Sequence, residues 1–186
     1  MSPIPTVRAF KRNAVLAMVI VASVLAILVG RAMSAQDKYT VKVPGGLAFS
    51  EFRGFESWQA VAVSQTDDTI EVILGNPATI AAYRAGVPGN GKPFPDGAKM
   101  AKIHWTAKKS TEAPVPTTIP GTLHDILFEE RDSKRFPDSA GWGWAGFDYD
   151  ASSDTFTPRG TGVKCGLACH TIVAKKDFVF TAYGKR

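Results

Sequence analysis

Two thiols and an imidazole near the C-terminus carry the strongest chemical signal in the chain: Cys165-Gly166-Leu167-Ala168-Cys169-His170. Thiols so spaced, followed at once by His, form a variant of the Cys-x-x-Cys-His attachment signal of c-type haem, with one residue added. In such a site each thiol adds across a haem vinyl group, and the neighbouring His is held beneath the iron as its proximal ligand. The added residue predicts a loop that bulges so that both sulfurs keep their reach, and Gly166 and Ala168 make a bulge sterically easy. Two other chemistries share these residues. An oxidising compartment favours a disulfide between Cys165 and Cys169, with His170 at the surface. A metal site or a redox dithiol is the third, and zinc would have to recruit His104, His124 or carboxylates, because the chain has 2 cysteines in all.

A haem iron has a second face. Met1, Met18 and Met33 lie near the N-terminus, which leaves Met100, His104 and His124 as candidate sixth ligands, each equally at home as an ordinary strand residue. A vacant position open to a small ligand fits the sequence at least as well.

The compartment follows from the first 35 residues. They hold Arg8, Lys11, Arg12 and Arg31, no acidic residue, an apolar run from Ala14 to Val29, and small residues around Ser34 and Ala35. Basic, apolar and small-residue regions in that order predict a secretory signal, or an uncleaved N-terminal anchor, and so an exported, periplasmic domain over 36–186. The membrane is then met only through an uncleaved leader. The leader also accounts for most of the net charge of +5, so the mature chain is close to neutral and nucleic-acid binding is not expected.

The elements that must position the motif read as mainly β. β-Branched and aromatic runs predict strands at 58–64 and 69–74 around the turn Gln65-Thr66-Asp67-Asp68. Asn76 as cap, Pro77 at the first turn and Gly86 as stop predict one short helix over 78–85. Further strands are expected at 98–105, 122–130 and 142–149, with 106–121 a surface linker, although 122–130 also fits a helical face. A Ser/Asp/Thr/Gly loop should lead into the cysteine motif, and alternating aromatics over 177–183 suggest a closing strand. The sum is one mainly antiparallel β (α+β) domain with its haem packed on the sheet. Gly86 to Lys92 has the outline of a phosphate-binding loop, but Pro93 stands where the metal-binding hydroxyl is needed. Asp148, Asp150 and Asp154 miss the calcium-loop spacing.

Several stretches in order carry a family resemblance. They are Arg53 to Trp58, Asn76-Pro77 through Tyr83, Phe94-Pro95-Asp96-Gly97 leading into Ala98 to Lys102, Asp132-Ser133-Lys134-Arg135-Phe136, and the cysteine motif followed by Asp177-Phe178-Val179-Phe180-Thr181. Together they resemble the cytochrome P-460 family and its relative cytochrome c-prime-beta, from about Phe52 to the C-terminus. The resemblance implies a small, often dimeric β-sheet domain holding one covalent haem c, with Cys165, Cys169 and His170 as its attachment and iron-binding residues and a confined, open iron position. It also implies a lysine bonded to a porphyrin meso carbon, and Lys102 is the matching position. Acids of the family assist proton removal from the substrate, and Glu129, Glu130 and Asp132 are the candidates here, none of them matched to a family position. The activity implied is hydroxylamine oxidation, with or without nitric oxide, and transfer of electrons to a soluble cytochrome. Without the Lys102 bond, the resemblance implies a nitric oxide or carbon monoxide binder instead. Plain electron transfer would need a strong sixth ligand.

Overall fold

A computed structural model describes residues 36–160 and 163–186. The expected leader and its cleavage region lie outside those residues. Among the described residues no helix is long and apolar enough to cross a membrane.

Six strands form one antiparallel sheet in simple sequence order: β1 (Gln59–Gln65), β2 (Thr69–Gly75), β3 (Lys99–Lys109), β4 (Thr118–Arg131), β5 (Trp142–Asp150) and β6 (Thr155–Arg159). Helix α1 (Pro77–Arg84) crosses from β2 to β3 as the sequence predicts. Asn76 Oδ1 accepts from the Thr79 N–H at 2.9 Å, Pro77 opens the first turn, and Gly86 adopts φ +90° just past the end.

Strand alternation sorts the apolar residues into two cores. Leu74, Ala101, Ile103, Ile126, Phe128, Ala145 and Phe147 face one way and are covered by Val43, Leu47, Phe49, Phe52 and Phe55 from the N-terminal segment. Ile73, Met100, Trp142 and Trp144 face the other way, against α1, Phe94 and the C-terminal tail. The first core is aromatic. Phe49 is fully buried and its ring centroid lies 5.0 to 5.1 Å from those of Phe128, Phe147 and Phe156. Phe49→Ala should therefore cost about 3–5 kcal/mol of stability, seen as a lower denaturant midpoint in equilibrium unfolding.

Four expectations are corrected. The segment 106–121 is not a linker, since β3 runs to Lys109 and β4 begins at Thr118. Its Lys/Thr/Pro composition misleads because pairing of β4 to β5 starts only at Asp125, so Pro120 sits in a projecting hairpin that needs no second partner strand. The loop before the cysteine motif contains β6, whose Pro158 is tolerated at the sheet edge; the Gln36 side chain bonds both backbone groups of Phe156 there. The 177–183 segment is no strand. Asp177 and Phe178 adopt φ +51° and +62°, and the tail then runs as a strap in which Val179 is buried and Tyr183 stacks on Tyr83 at 5.5 Å. The cysteine motif is no bulged loop either, but a regular helix, α2 (Val163–His170).

Candidate functional site

The helical form of α2 answers the extra residue. A separation of four puts Cys165 and Cys169 on one helix face, one turn apart. Both are unpaired and exposed. Gly166 lets the helix lie directly on the sheet, for a Cβ there would stand 2.3 Å from Trp144 Cγ. A small cavity of about 200 Å³ joins Cys165 and Cys169 to Leu127, Trp144 and Arg159.

Next to it is a larger cavity of about 320 Å³ that shares Leu127 and Trp144, and whose wall includes Ile73, Met100, Lys102, Glu129 and His170. The His170 ring sits between Trp144 and Phe180, at centroid distances of 5.1 and 5.0 Å. Its Nδ1–H donates to the Phe178 carbonyl at 2.6 Å. The two left-handed residues Asp177 and Phe178 aim that carbonyl, and Asp177 is pinned by accepting from the Phe94 N–H at 2.7 Å. Burial holds the imidazole below its usual pKa, hence neutral at neutral pH. With Nδ1–H engaged, the Nε2 lone pair is left for another partner.

Strand alternation brings Lys102 on β3 and Glu129 on β4 to this same face. Lys102 Nζ lies 2.8 Å from Glu71 Oε2. Glu129 accepts from the Trp144 indole N–H at 3.1 Å, and burial pushes its carboxyl up to about 7 even though that bond and the Lys102 charge act the other way. Glu130 faces the opposite side of the sheet, 3.0 Å from Lys99. Asp132 accepts backbone N–H groups of Lys134 and Arg135 in a turn. Neither reaches the cavity. Of Met100, His104 and His124, only Met100 lines it.

His104 belongs instead to a row of charged residues that crosses the sheet. Glu71, His104, Asp125 and Asp148 stand directly opposite one another on β2, β3, β4 and β5. His104 Nδ1 is 2.6 Å from Asp125 Oδ1, and its Nε2 is 3.3 Å from Glu71 Oε1. Asp125 Oδ2 accepts from Arg159 at 2.7 Å, lies 2.6 Å from His124 Nδ1, and the same guanidinium grips Asp148. The sequence reading missed Glu71, Asp125 and Arg159 as parts of one group. Each is a charged residue inside a strand run, which is a signal, but only the register aligns them.

Burial alone would raise Asp125, yet contacts with His104 and Arg159 hold it well below the usual carboxylate range. A depressed native value gives stability that is fully present above about pH 4, the unfolded Asp value, and is lost as pH falls further. Asp125→Asn should cost about 3 kcal/mol at neutral pH and flatten the acid limb of a stability-against-pH curve.

A protein-family model described as Cytochrome P460 matches residues 52–181, which is most of the chain and spans both cavities. No curated protein matches it.

Proposed function

The chain belongs to the cytochrome P460 family, and on that premise we propose that it is a periplasmic mono-haem c-type cytochrome that oxidises hydroxylamine. In this reading Cys165 and Cys169 would hold the haem and His170 would bind its iron. A soluble cytochrome receives the electrons, and two copies of the chain form a homodimer.

One observation carries the reading: two free thiols and a neutral imidazole border adjoining cavities whose walls also hold Lys102 and Glu129. That donor set fits a covalently held haem. Each S–H can add across a vinyl group, forming S–C and C–H bonds with no oxidant required. The Phe178 carbonyl fixes the His170 tautomer and raises the basicity of Nε2. Ile73 and Leu127 make part of the wall apolar, which strengthens electrostatic contacts beside it. Burial raises the Glu129 carboxyl to about 7, which suits it to accept a substrate proton and later release it. When bound, the haem supplies what these side chains lack, an iron that ligates a nitrogen compound and passes its electrons on.

Lys102 decides between two readings. Joining its nitrogen to a ring carbon replaces an N–H and the ring C–H by a C–N bond, which takes an added two-electron oxidant and requires the 2.8 Å contact with Glu71 to be given up. If the pair persists, the haem stays unmodified and the same cavity captures nitric oxide or carbon monoxide without turnover. The ferrous absorption spectrum of purified holoprotein, recorded with a hydroxylamine oxidation assay using a one-electron acceptor, tests this. A far-red-shifted band with turnover supports the enzyme; an ordinary c-type spectrum without turnover supports the gas binder.

A further inference from the structure

The imidazole of His170 is held by a turn that must itself be held. Its Nδ1–H donates to the Phe178 carbonyl at 2.6 Å, and Glu129 Oε2, at 3.7 Å, stands too far away to share that proton. The carbonyl points at the ring because Asp177 and Phe178 are both left-handed, with φ of +51° and +62°. Glycine adopts that conformation freely, whereas two successive residues with side chains do so only where their surroundings over-determine it. Part of the constraint is local. The N–H groups of Asp177, Phe178 and Val179 donate to the carbonyls of Ala174, Val173 and Lys176 at 3.1 to 3.2 Å. Those bonds all lie within 173–179, so they shape the turn without placing it on the domain.

The Asp177 side chain places it. Its Oδ2 accepts from the Phe94 N–H at 2.7 Å, and its Oδ1 lies 3.4 Å from Arg131 Nη1. Both anchors belong to packed elements. Phe94 is buried, its ring 5.0 Å from that of Tyr83 and 5.8 Å from that of Trp142. Arg131 ends β4, where its N–H donates to Ala98 and its carbonyl accepts from Gly97. The carboxylate is 12% exposed, which limits competition from water.

We propose that Asp177 is a positioning residue for the iron: by tying the turn to Phe94 and Arg131 it fixes the Phe178 carbonyl on His170 Nδ1 and so sets how strongly Nε2 donates to the metal. The proposal rests on His170 being the iron ligand. A carbonyl held on Nδ1–H draws that proton from the ring and makes Nε2 the stronger donor, which favours the ferric over the ferrous state. No bond is made or broken and no proton is transferred; only the strength of the ligand changes.

Variants of the full holoprotein test it, read by spectroelectrochemical titration and by the iron–histidine stretching band of the ferrous resonance Raman spectrum. Asp177→Gly suits the left-handed conformation but has no side chain to anchor it. Its equilibrium constant for reduction should rise roughly tenfold, the low end of what such an outer contact gives a metal site, or about 59 mV for one electron. Its iron–histidine band should move to lower frequency. Asp177→Asn tolerates the same conformation and keeps an oxygen for the Phe94 N–H, so both readouts should stay at the unmodified values. Asp177→Ser is too short to hold that N–H; it should follow Asp177→Gly, and it carries the test if Asp177→Gly does not fold. A residue that only steadied the tail would lower the unfolding midpoint in Asp177→Gly and leave both iron readouts in place, and that result would overturn the proposal. So would an Asp177→Asn protein shifted as far as Asp177→Gly. A colourless unmodified protein would overturn the haem placement itself, and this inference with it.

Discussion

Replacing both Cys165 and Cys169 with serine is expected to yield a colourless protein from cells that export and mature c-type cytochromes. The effect should be close to total, because no other side chain in the described cavities forms a bond to a vinyl carbon without an oxidant. The folded domain should survive, since both thiols are exposed on α2 and neither belongs to either core. Far-ultraviolet circular dichroism and the unfolding midpoint should stay close to those of the haem-free wild type. His170→Ala makes the contrast. It leaves both thioether bonds possible, so colour should remain while the spectrum reports a changed iron ligand. Acid-acetone extraction reads the difference, with haem staying on the protein in the wild type and in His170→Ala.

The second large effect is at Lys102. Lys102→Ala should lower the hydroxylamine oxidation rate roughly 10²-fold or more, the scale on which removing one preorganised group acts, and should return the ferrous spectrum to an ordinary c-type form. Lys102→Arg separates the two roles of this side chain. Arginine keeps a cation opposite Glu71, where the wild-type ammonium lies at 2.8 Å, but it is too weak a nucleophile to bond to the ring. If the covalent bond matters, Arg behaves like Ala. If the charge pair is what matters, Arg restores the rate. Binding of nitric oxide or carbon monoxide should persist in both variants, because His170 and the apolar part of the cavity wall are untouched.

Much of this architecture is legible in the residues. The alternation in 58–64, 69–74, 98–105 and 142–149 is enough to place four strands within a few residues, and Asn76-Pro77 with Gly86 fixes α1 at both ends. The same alternation puts Met100 and Lys102 on the cavity face. What is not legible has physical causes. Neighbouring acids point to opposite sides of a strand, so Glu129 and Glu130 look equivalent in sequence while one meets Trp144 and the other Lys99. Register is a property of pairs of strands, so the line from Glu71 through His104 to Asp125 exists only once β2, β3 and β4 are aligned. The residues after Asp177 mimic a strand because a strap lying on a sheet also alternates buried and exposed side chains, here with Val179 buried and Phe180 exposed. Left-handed Asp177 and Phe178 carry no glycine to announce them. The helical cysteine motif was hidden by expectation, since Gly166 reads as flexibility and in fact serves close approach to Trp144.

The central claim is the tether, and mass spectrometry of the tryptic segment from Cys165 to Lys175 reads it directly. The predicted result is a peptide heavier by one haem, with both sulfurs bonded to it, and with the Lys102 peptide joined through the same haem where the cross-link has formed. A haem-free segment from correctly exported protein, with Cys165 and Cys169 oxidised to each other, would contradict the account.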